Sequence, residues 1–493
     1  MRNSRLRALW LAFPLLLSAC ALPRPPEQVT APTPAQWTTP LPHGGSLPVL
    51  ADWWRQLDDP LLVELIDAAQ AASPTVASAA ARIAEARASR VAAGAALAPN
   101  LSANLSANRS NSPLSGGTGS TSGGTGTGLT ATPAITTIQA GLQSSWEVDL
   151  FGGLRASRDA TQARLAGADA KWHEARVSVA AETATNYLGE RACRRQLAVA
   201  TSDTQSRAET SRLTDLSMRA GFTAPADAAL ARASASDASA RLTQQRAQCA
   251  LLQQALVSLS GIDARTLQAR LDAAPIDRAL PAVHAVASVP AEALAQRPDV
   301  YASERDVAAA SAEAGAALAQ RFPRLSLQGS IGRLQIRTSG FRETLDSWTI
   351  GPVALTVPIF DGGTLAANVD AARARYDEAV ALYRANVRQA VREVEEALIN
   401  LQSTDARAGD ADAAVQNYQA SFDATSARYQ SGLASLFELE DSRRTLFAAQ
   451  TARVSLQRER AEAWVSLYRS MGGGWLRPGS TTTTTSTTAT SPS

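Results

Sequence analysis

Two hydrophobic patterns run along this chain, and each occurs twice. Over residues 138–150 apolar side chains recur at every second position (Ile138, Ala140, Leu142, Trp146, Val148, Leu150), with Gln139, Gln143, Ser145, Glu147 and Asp149 between them. Alternation of this kind predicts a strand with one dry face and one wet face. Leu101, Ala103, Leu105 and Ala107 form a preceding strand across a polar loop, so the two predict a hairpin. Leu325, Leu327, Gly329 and Ile331 open an equivalent strand later in the chain. The returning strand of each half runs through a phenylalanine into a glycine pair, Phe151-Gly152-Gly153 and Phe360-Asp361-Gly362-Gly363. Glycine accepts backbone angles that other residues find costly. Each pair is therefore read as a strand-to-helix junction.

Beyond each junction the period becomes helical. In the second copy Val369, Ala372, Tyr376, Ala379, Tyr383, Val387, Ala390, Val394, Leu398 and Leu401 recur at spacings of three and four, a coiled-coil seam. Helices over 154–218 and 364–429 would each reach about 100 Å at 1.5 Å per residue, more than a compact domain needs. Each meets a glycine-centred turn, Gly221-Phe222 and Gly432-Leu433, after which a second helix returns.

The recurrence is an internal duplication. Pro74 and Pro298, and Pro99 and Pro323, are separated by the same 224 positions, whereas Phe151 and Phe360 are 209 apart. A Gly/Ser/Thr loop over roughly 110–133, carried only by the first half, accounts for the difference. Each half reads as an Ala-rich helix, a hairpin, a long helix and a return helix: 51–261 and 298–474, with 262–297 between them. Cys193 and Cys249 lie equally far before and after Gly221, so folding at that turn brings their thiols to one height. An oxidising compartment would allow a disulfide there; two buried, unbonded thiols fit the same placement.

The ends change the picture. Arg2, Arg5 and Arg7 precede the apolar run 8–17, and Leu17-Ser18-Ala19-Cys20 follows. This is a secretory signal, 1–19, and a cysteine directly after the cut resembles the lipobox of bacterial lipoproteins, which implies acylation of Cys20. Residues 20–50 hold many prolines and read as an extended tether. The Thr/Ser tail, 475–493, cannot build a core. No stretch of the mature chain has the ~18 consecutive apolar residues of a spanning helix. A route across a membrane must then be a closed barrel. Four strands cannot close one, since about eight are needed, so several chains must share it; three would give twelve strands and an open lumen.

The formal net charge of +2 gives no reason to expect nucleic acid, and three His and three Cys are too scattered for a metal or redox motif. No phosphate loop, paired-His spacing or Ser/His/Asp constellation is legible, so neither an enzyme nor a cofactor is expected. His173, beside Trp172, reads as a helix-face residue.

The stretches DWWRQLDDP (52–60), PAEALAQRPDV (290–300) and VPIFDGG (357–363), in this order and with the lipobox, resemble the TolC-like outer-membrane efflux channels, in their NodT-type lipoprotein branch. The resemblance covers nearly the whole mature chain. It implies an α+β membrane protein: a homotrimer with a twelve-stranded outer-membrane β-barrel, a long α-helical periplasmic barrel and a mixed α/β equatorial belt. Besides the outer-membrane lipid, it also implies as partners two further copies of the chain, a periplasmic adaptor protein and an inner-membrane transporter.

Site residues follow from both sources. Gly221, Phe222, Gly432 and Leu433 stand where the family contacts its adaptor, although each glycine also reads as a helix C-cap. Glu438 and Asp441 lie close to one helix face after the second turn. Repeated threefold, they would ring the narrow end with carboxylates, repelling anions and attracting cations; an ordinary solvated face is the alternative. Asp227 and Tyr429 match positions that latch the closed tip in the family. A basic residue found there in some members is Ala434 here, so closure must rest on other contacts. A protein-secretion duct and a poreless coiled-coil lipoprotein are the competing readings; the dry strand faces argue against the second.

Overall fold

The computed structural model describes residues 22–33, 54, 59–110, 134–274, 294–338 and 340–478. The signal, Cys20, most of the tether, the loop over 111–133, residues 275–293 and the tail beyond 478 lie outside the described residues.

The elements in chain order are α1 (Pro60–Ala72), α2 (Pro74–Ala95), β1 (Asn100–Ser110), β2 (Ile135–Val148), α3 (Gly153–Arg219), α4 (Pro225–Ser260), α5 (Ala264–Ala273), α6 (Pro298–Ala319), β3 (Arg324–Thr338), β4 (Phe341–Thr356), α7 (Thr364–Gln430) and α8 (Leu436–Ser470). The duplication shows in the lengths: α2 and α6 have 22 residues each, and α3 and α7 have 67 each. Helix α1 precedes the Pro74 helix and was not resolved as a separate element in the hydrophobic pattern.

The described residues divide into two compact units. One takes in residues up to Val29, Ala84–Leu165 and Arg305–Val380; the other takes in Thr30–Ile83, Ala166–Glu304 and the chain from Ala381 onward.

The first unit contains one antiparallel meander, β1-β2-β3-β4. Its register sets Ala103 beside Leu142, Leu142 beside Ile331 and Ile331 beside Trp348. From the Val148–Leu325–Leu355 row up to the Ile331–Trp348 row the alternation therefore adds up to a single apolar face, and beyond it the same face carries Arg333 beside Asp346. That face is bare: Leu105 is 79% exposed, Trp348 72% and Ile350 92%. Asn104, Gly141, Gly332 and Ser347 mark the opposite, polar face. Both β1 and β4 are edge strands.

Residues 22–29 are extended, as a Pro-rich segment should be, but they are pinned rather than free. The Tyr376 hydroxyl donates to the Pro26 carbonyl (3.0 Å), Ser311 Oγ donates to the Pro25 carbonyl, and Arg24 pairs with Asp159 (3.5 Å). The Arg24 side chain lies over Gly315, where an added Cβ would stand only 3.3 Å away.

The second unit has the larger core. Leu62, Leu65 and Ile66 of α1 pack with Ala184, Tyr187 and Leu188 of α3, Leu256 of α4, Leu267 and Leu271 of α5, Val394 and Leu398 of α7, and Trp464 and Leu467 of α8. Arg297 is buried at the chain's return to the second repeat. Its guanidinium donates to Asp299 (3.0 Å), Glu393 (2.8 Å) and the Ser470 carbonyl (2.9 Å), tying three elements together. The α7 seam is buried at Val387, Ala390, Val394, Leu398 and Leu401, but beyond Thr404 no residue of this helix is buried within the chain.

Candidate functional site

The four junction glycines do not all serve one purpose. Gly152, Gly362 and Gly363 have φ of +77°, +66° and +92°, the left-handed region that side chains avoid. Gly153 is different: an added Cβ would meet Ala319 Cβ at 2.9 Å, so closeness to α6 excludes a side chain there. An aspartate caps each long helix. Asp149 accepts from the amides of Leu154 (3.1 Å) and Arg155 (3.0 Å), and Asp361 from those of Gly363 (3.0 Å) and Leu365 (2.6 Å). Burial works to raise the Asp149 carboxyl, but the hydrogen bonds from Arg155 and Leu154 outweigh it and hold it below the usual range. The Leu365 and Gly363 amides lower Asp361 likewise. These caps went unread because the two aspartates occupy different places relative to their glycines.

The turns at the far ends of α3 and α7 share one geometry. Gly221 and Gly432 adopt φ of +80° and +74°. The Phe222 amide donates to the Ser217 carbonyl (2.9 Å), and the Leu433 amide to the Arg428 carbonyl (2.8 Å). This closes each helix with a Schellman motif, which calls for a left-handed residue at the glycine. The return helices start differently. Ser435 caps α8 by accepting from the Glu438 amide (3.2 Å), whereas Ala224 offers α4 no side-chain cap. Three apolar side chains stand out at these turns: Phe222, Leu433 and Phe437, exposed by 70% or more. Phe437 escaped the sequence reading because it falls outside the turn itself.

Glu438 and Asp441 are both exposed on α8, and each has a basic neighbour in its own hairpin. Glu438 pairs with Arg428 (3.6 Å) and Asp441 with Arg444. Arg428 also donates to the Leu433 carbonyl (3.0 Å), so it supplies a basic contact at the tip that Ala434 lacks. Asp227 is exposed in the first turn of α4. The Tyr429 hydroxyl lies 3.5 Å from Thr214 Oγ1, and its ring packs against Ala231, Leu436 and Leu439.

Behind this apolar plug lies a buried ionic cluster that the sequence did not reveal. Arg207 donates through Nε to both Asp203 oxygens (2.9 Å each) and through Nη1 to Ser234 Oγ (2.6 Å). Arg207 also pairs with Glu440, which accepts from Ser234 (2.6 Å) and from Arg443. Arg443 reaches Thr210 Oγ1 (3.1 Å) and lies over the Phe422 ring, and its burial pushes the guanidinium down from its ordinary value. Residues of α3, α4 and α8 are thus held by two arginines and two carboxylates sharing charge.

A disulfide joins Cys193 and Cys249, with Cα atoms 5.6 Å apart. His173 is not merely on a helix face. It is half-buried 6.2 Å from Trp475, at a cavity of about 500 Å³ that Trp54, Gln70 and Arg176 also line. Burial, with the nearby Arg176 charge, lowers its imidazole pKa.

The chain is similar to known proteins in sequence and fold. The profile of the outer membrane efflux protein family matches residues 65–262 and 289–473. The pyoverdine export outer membrane protein OpmQ of Pseudomonas putida is 30% identical over 470 residues, covering 94% of this chain and 97% of its own. Nodulation protein T of Rhizobium leguminosarum bv. viciae is 26% identical over 486 residues, with 97% and 95% covered. The solved structure of the outer-membrane channel OprN superposes with a TM-score of 0.76 at 27% identity, over 92% of this chain and 99% of that one.

Proposed function

Because this chain belongs to the outer membrane efflux protein family, we propose that three copies of it form the outer-membrane exit duct of a tripartite efflux pump. The observation that carries this reading is the sheet: four strands whose rows from Leu325 to Ile331 leave one face apolar and exposed, with both edges open. Exposed hydrogen-bonding edges invite another chain. In a meander of four, β4 of one copy meets β1 of the next antiparallel, so three copies close a twelve-stranded barrel with the apolar face toward lipid.

The duplication supports the same closure. Phe151, at the first junction, stacks on Phe322 at 5.0 Å. Its counterpart Phe360 is 92% exposed. A neighbouring copy would cover it as the second repeat covers Phe151. Helix α7 buries no residue beyond Thr404 within the chain, and its outer part needs a neighbour in the same way.

In this reading the long helices form the periplasmic part. Phe222, Leu433 and Phe437, set out by Gly221 and Gly432, meet a periplasmic adaptor, and an inner-membrane transporter supplies the energy. The resting tip is held shut by the Arg207–Asp203–Glu440–Arg443 cluster and the Tyr429 plug, while Glu438, Asp441 and Asp227 face the narrowed end. Acylated Cys20 anchors each copy to the membrane. The duct conducts passively and carries out no bond chemistry. Relatives named for pyoverdine export and toluene efflux support small molecules rather than secreted proteins as cargo.

A native mass measurement on the detergent-extracted protein tests the assembly. Three chains are expected. A stable monomer would leave four strands with two bare edges and overturn the barrel.

A further inference from the structure

The strand register places three arginines in one row across the sheet. Arg109 of β1 stands opposite Thr136 of β2, Thr136 opposite Arg337 of β3, and Arg337 opposite Arg342 of β4. By the alternation of the strands, all three share the face of Leu105, Leu142, Ile331 and Trp348. They lie on the lipid side, not the lumen side.

Their height is informative. Leu325 to Arg337 is 12 residues of one strand, or about 40 Å at 3.3 Å per residue. A strand tilt near 40° reduces this to about 30 Å along the membrane normal, just past an apolar band about 25 Å tall. The row therefore falls at the outer headgroup level.

Among the described residues the row has no carboxylate beside it on this face. Arg337 and Arg342 are direct cross-strand partners, and like charges directly opposite repel. Glu343, the next residue along β4, points to the other face. The closest carboxylate on this face, Asp346, lies two cross-strand pairs lower on the same side and is held by Arg333 through two hydrogen bonds (2.6 and 3.1 Å). Arg337 Nε is occupied by Gln335 (2.8 Å), which carries no charge. The connection over 111–133, which joins β1 to β2 at this end, contains no charged residue in its sequence.

Resting on the barrel reading above, we infer that Arg109, Arg337 and Arg342 bind the phosphates of an anionic lipid in the outer leaflet. Planar guanidinium groups suit phosphate, each offering paired donors. Neighbouring strands are about 4.8 Å apart, so the row spans roughly 15 Å and can hold a headgroup with two phosphates.

The test is native mass spectrometry of the extracted full-length trimer with diphosphoryl lipid A, its dephosphorylated form and inorganic phosphate as probes. Wild type should prefer the diphosphorylated lipid at least tenfold. The variant Arg109→Gln/Arg337→Gln/Arg342→Gln should lose that preference while remaining trimeric, and Arg324→Gln, at the opposite end of β3, should keep it. Unchanged binding by the triple variant, equal binding of both lipids, or full displacement by inorganic phosphate would overturn the inference. If the triple variant does not assemble, the single variant Arg342→Gln must still weaken binding severalfold. A wild-type protein that never extracts as a trimer speaks against the barrel; a trimer indifferent to the phosphates speaks against the row alone.

Discussion

Two local pairs, Asp203 with Arg207 and Glu440 with Arg443, are brought together from positions more than two hundred residues apart, and this explains why the sequence did not show the cluster. Helical periodicity tells which residues share a face, and by that rule Glu438 and Asp441 were legible as a pair of acids. It does not tell which two faces meet. Removing one member of a buried ion pair leaves the other charged and unpaired, a cost of about 3–5 kcal/mol. Glu440→Ala should therefore lower the melting temperature of the protein clearly, whereas Glu438→Ala, which breaks an exposed pair, should leave it nearly unchanged. Differential scanning calorimetry of the two variants decides this. The glycines make a second contrast. Gly153→Ala forces a methyl against Ala319, and overpacking of that kind costs about 1–3 kcal/mol. Gly152→Ala meets no neighbour and pays only for its left-handed backbone, about 1–2 kcal/mol. If a compensating Ala319→Gly rescues the first variant and not the second, the two roles are distinct.

At the level of elements, the duplication made the fold readable. Glycine pairs, glycine turns and the change of period located the ends of both 67-residue helices to within about a residue. The capping aspartates were not readable, because a cap is recognised by its position relative to the first turn, and the two copies differ there. Replacing Asp149 with Ala should cost about 1 kcal/mol as a lost cap. Its pH dependence has a definite sign. A carboxyl held below its usual value when folded adds stability that is complete above about pH 4 and fades as pH falls through the folded value. Melting curves between pH 2 and 6 should show that fade in wild type and a smaller one in Asp149→Asn. The disulfide belongs to this scale too. The equal distances of Cys193 and Cys249 from Gly221 placed the sulfurs at one height, and the bond closes a loop with a sequence separation of 56. A loop of that size corresponds to about 4 kcal/mol of lost unfolded-state entropy. Reduction should lower the denaturant midpoint, and Cys193→Ser should make the protein insensitive to reductant.

For the whole molecule, one chain is visibly incomplete. Its sheet has a bare apolar face and two open edges, its second junction leaves Phe360 uncovered, and no residue of α7 beyond Thr404 is buried within the chain. The alternation in the strands and the lack of an apolar helix long enough to span a membrane pointed to a shared barrel from the sequence alone. What the sequence could not supply was the register. Only pairing shows that Leu142, Ile331 and Trp348 align on one face and that three arginines fall in one row.

A duct closed at its tips by the buried ionic cluster should open when that cluster is dismantled. Single-channel recording in planar bilayers reads this, comparing wild type with Glu440→Ala/Arg443→Ala, which removes one charge of each sign. Wild type should show a small conductance and the variant one severalfold larger. A folded trimer that passes no current in either form, and none after the turns around Gly221 and Gly432 are trimmed away, would contradict that expectation.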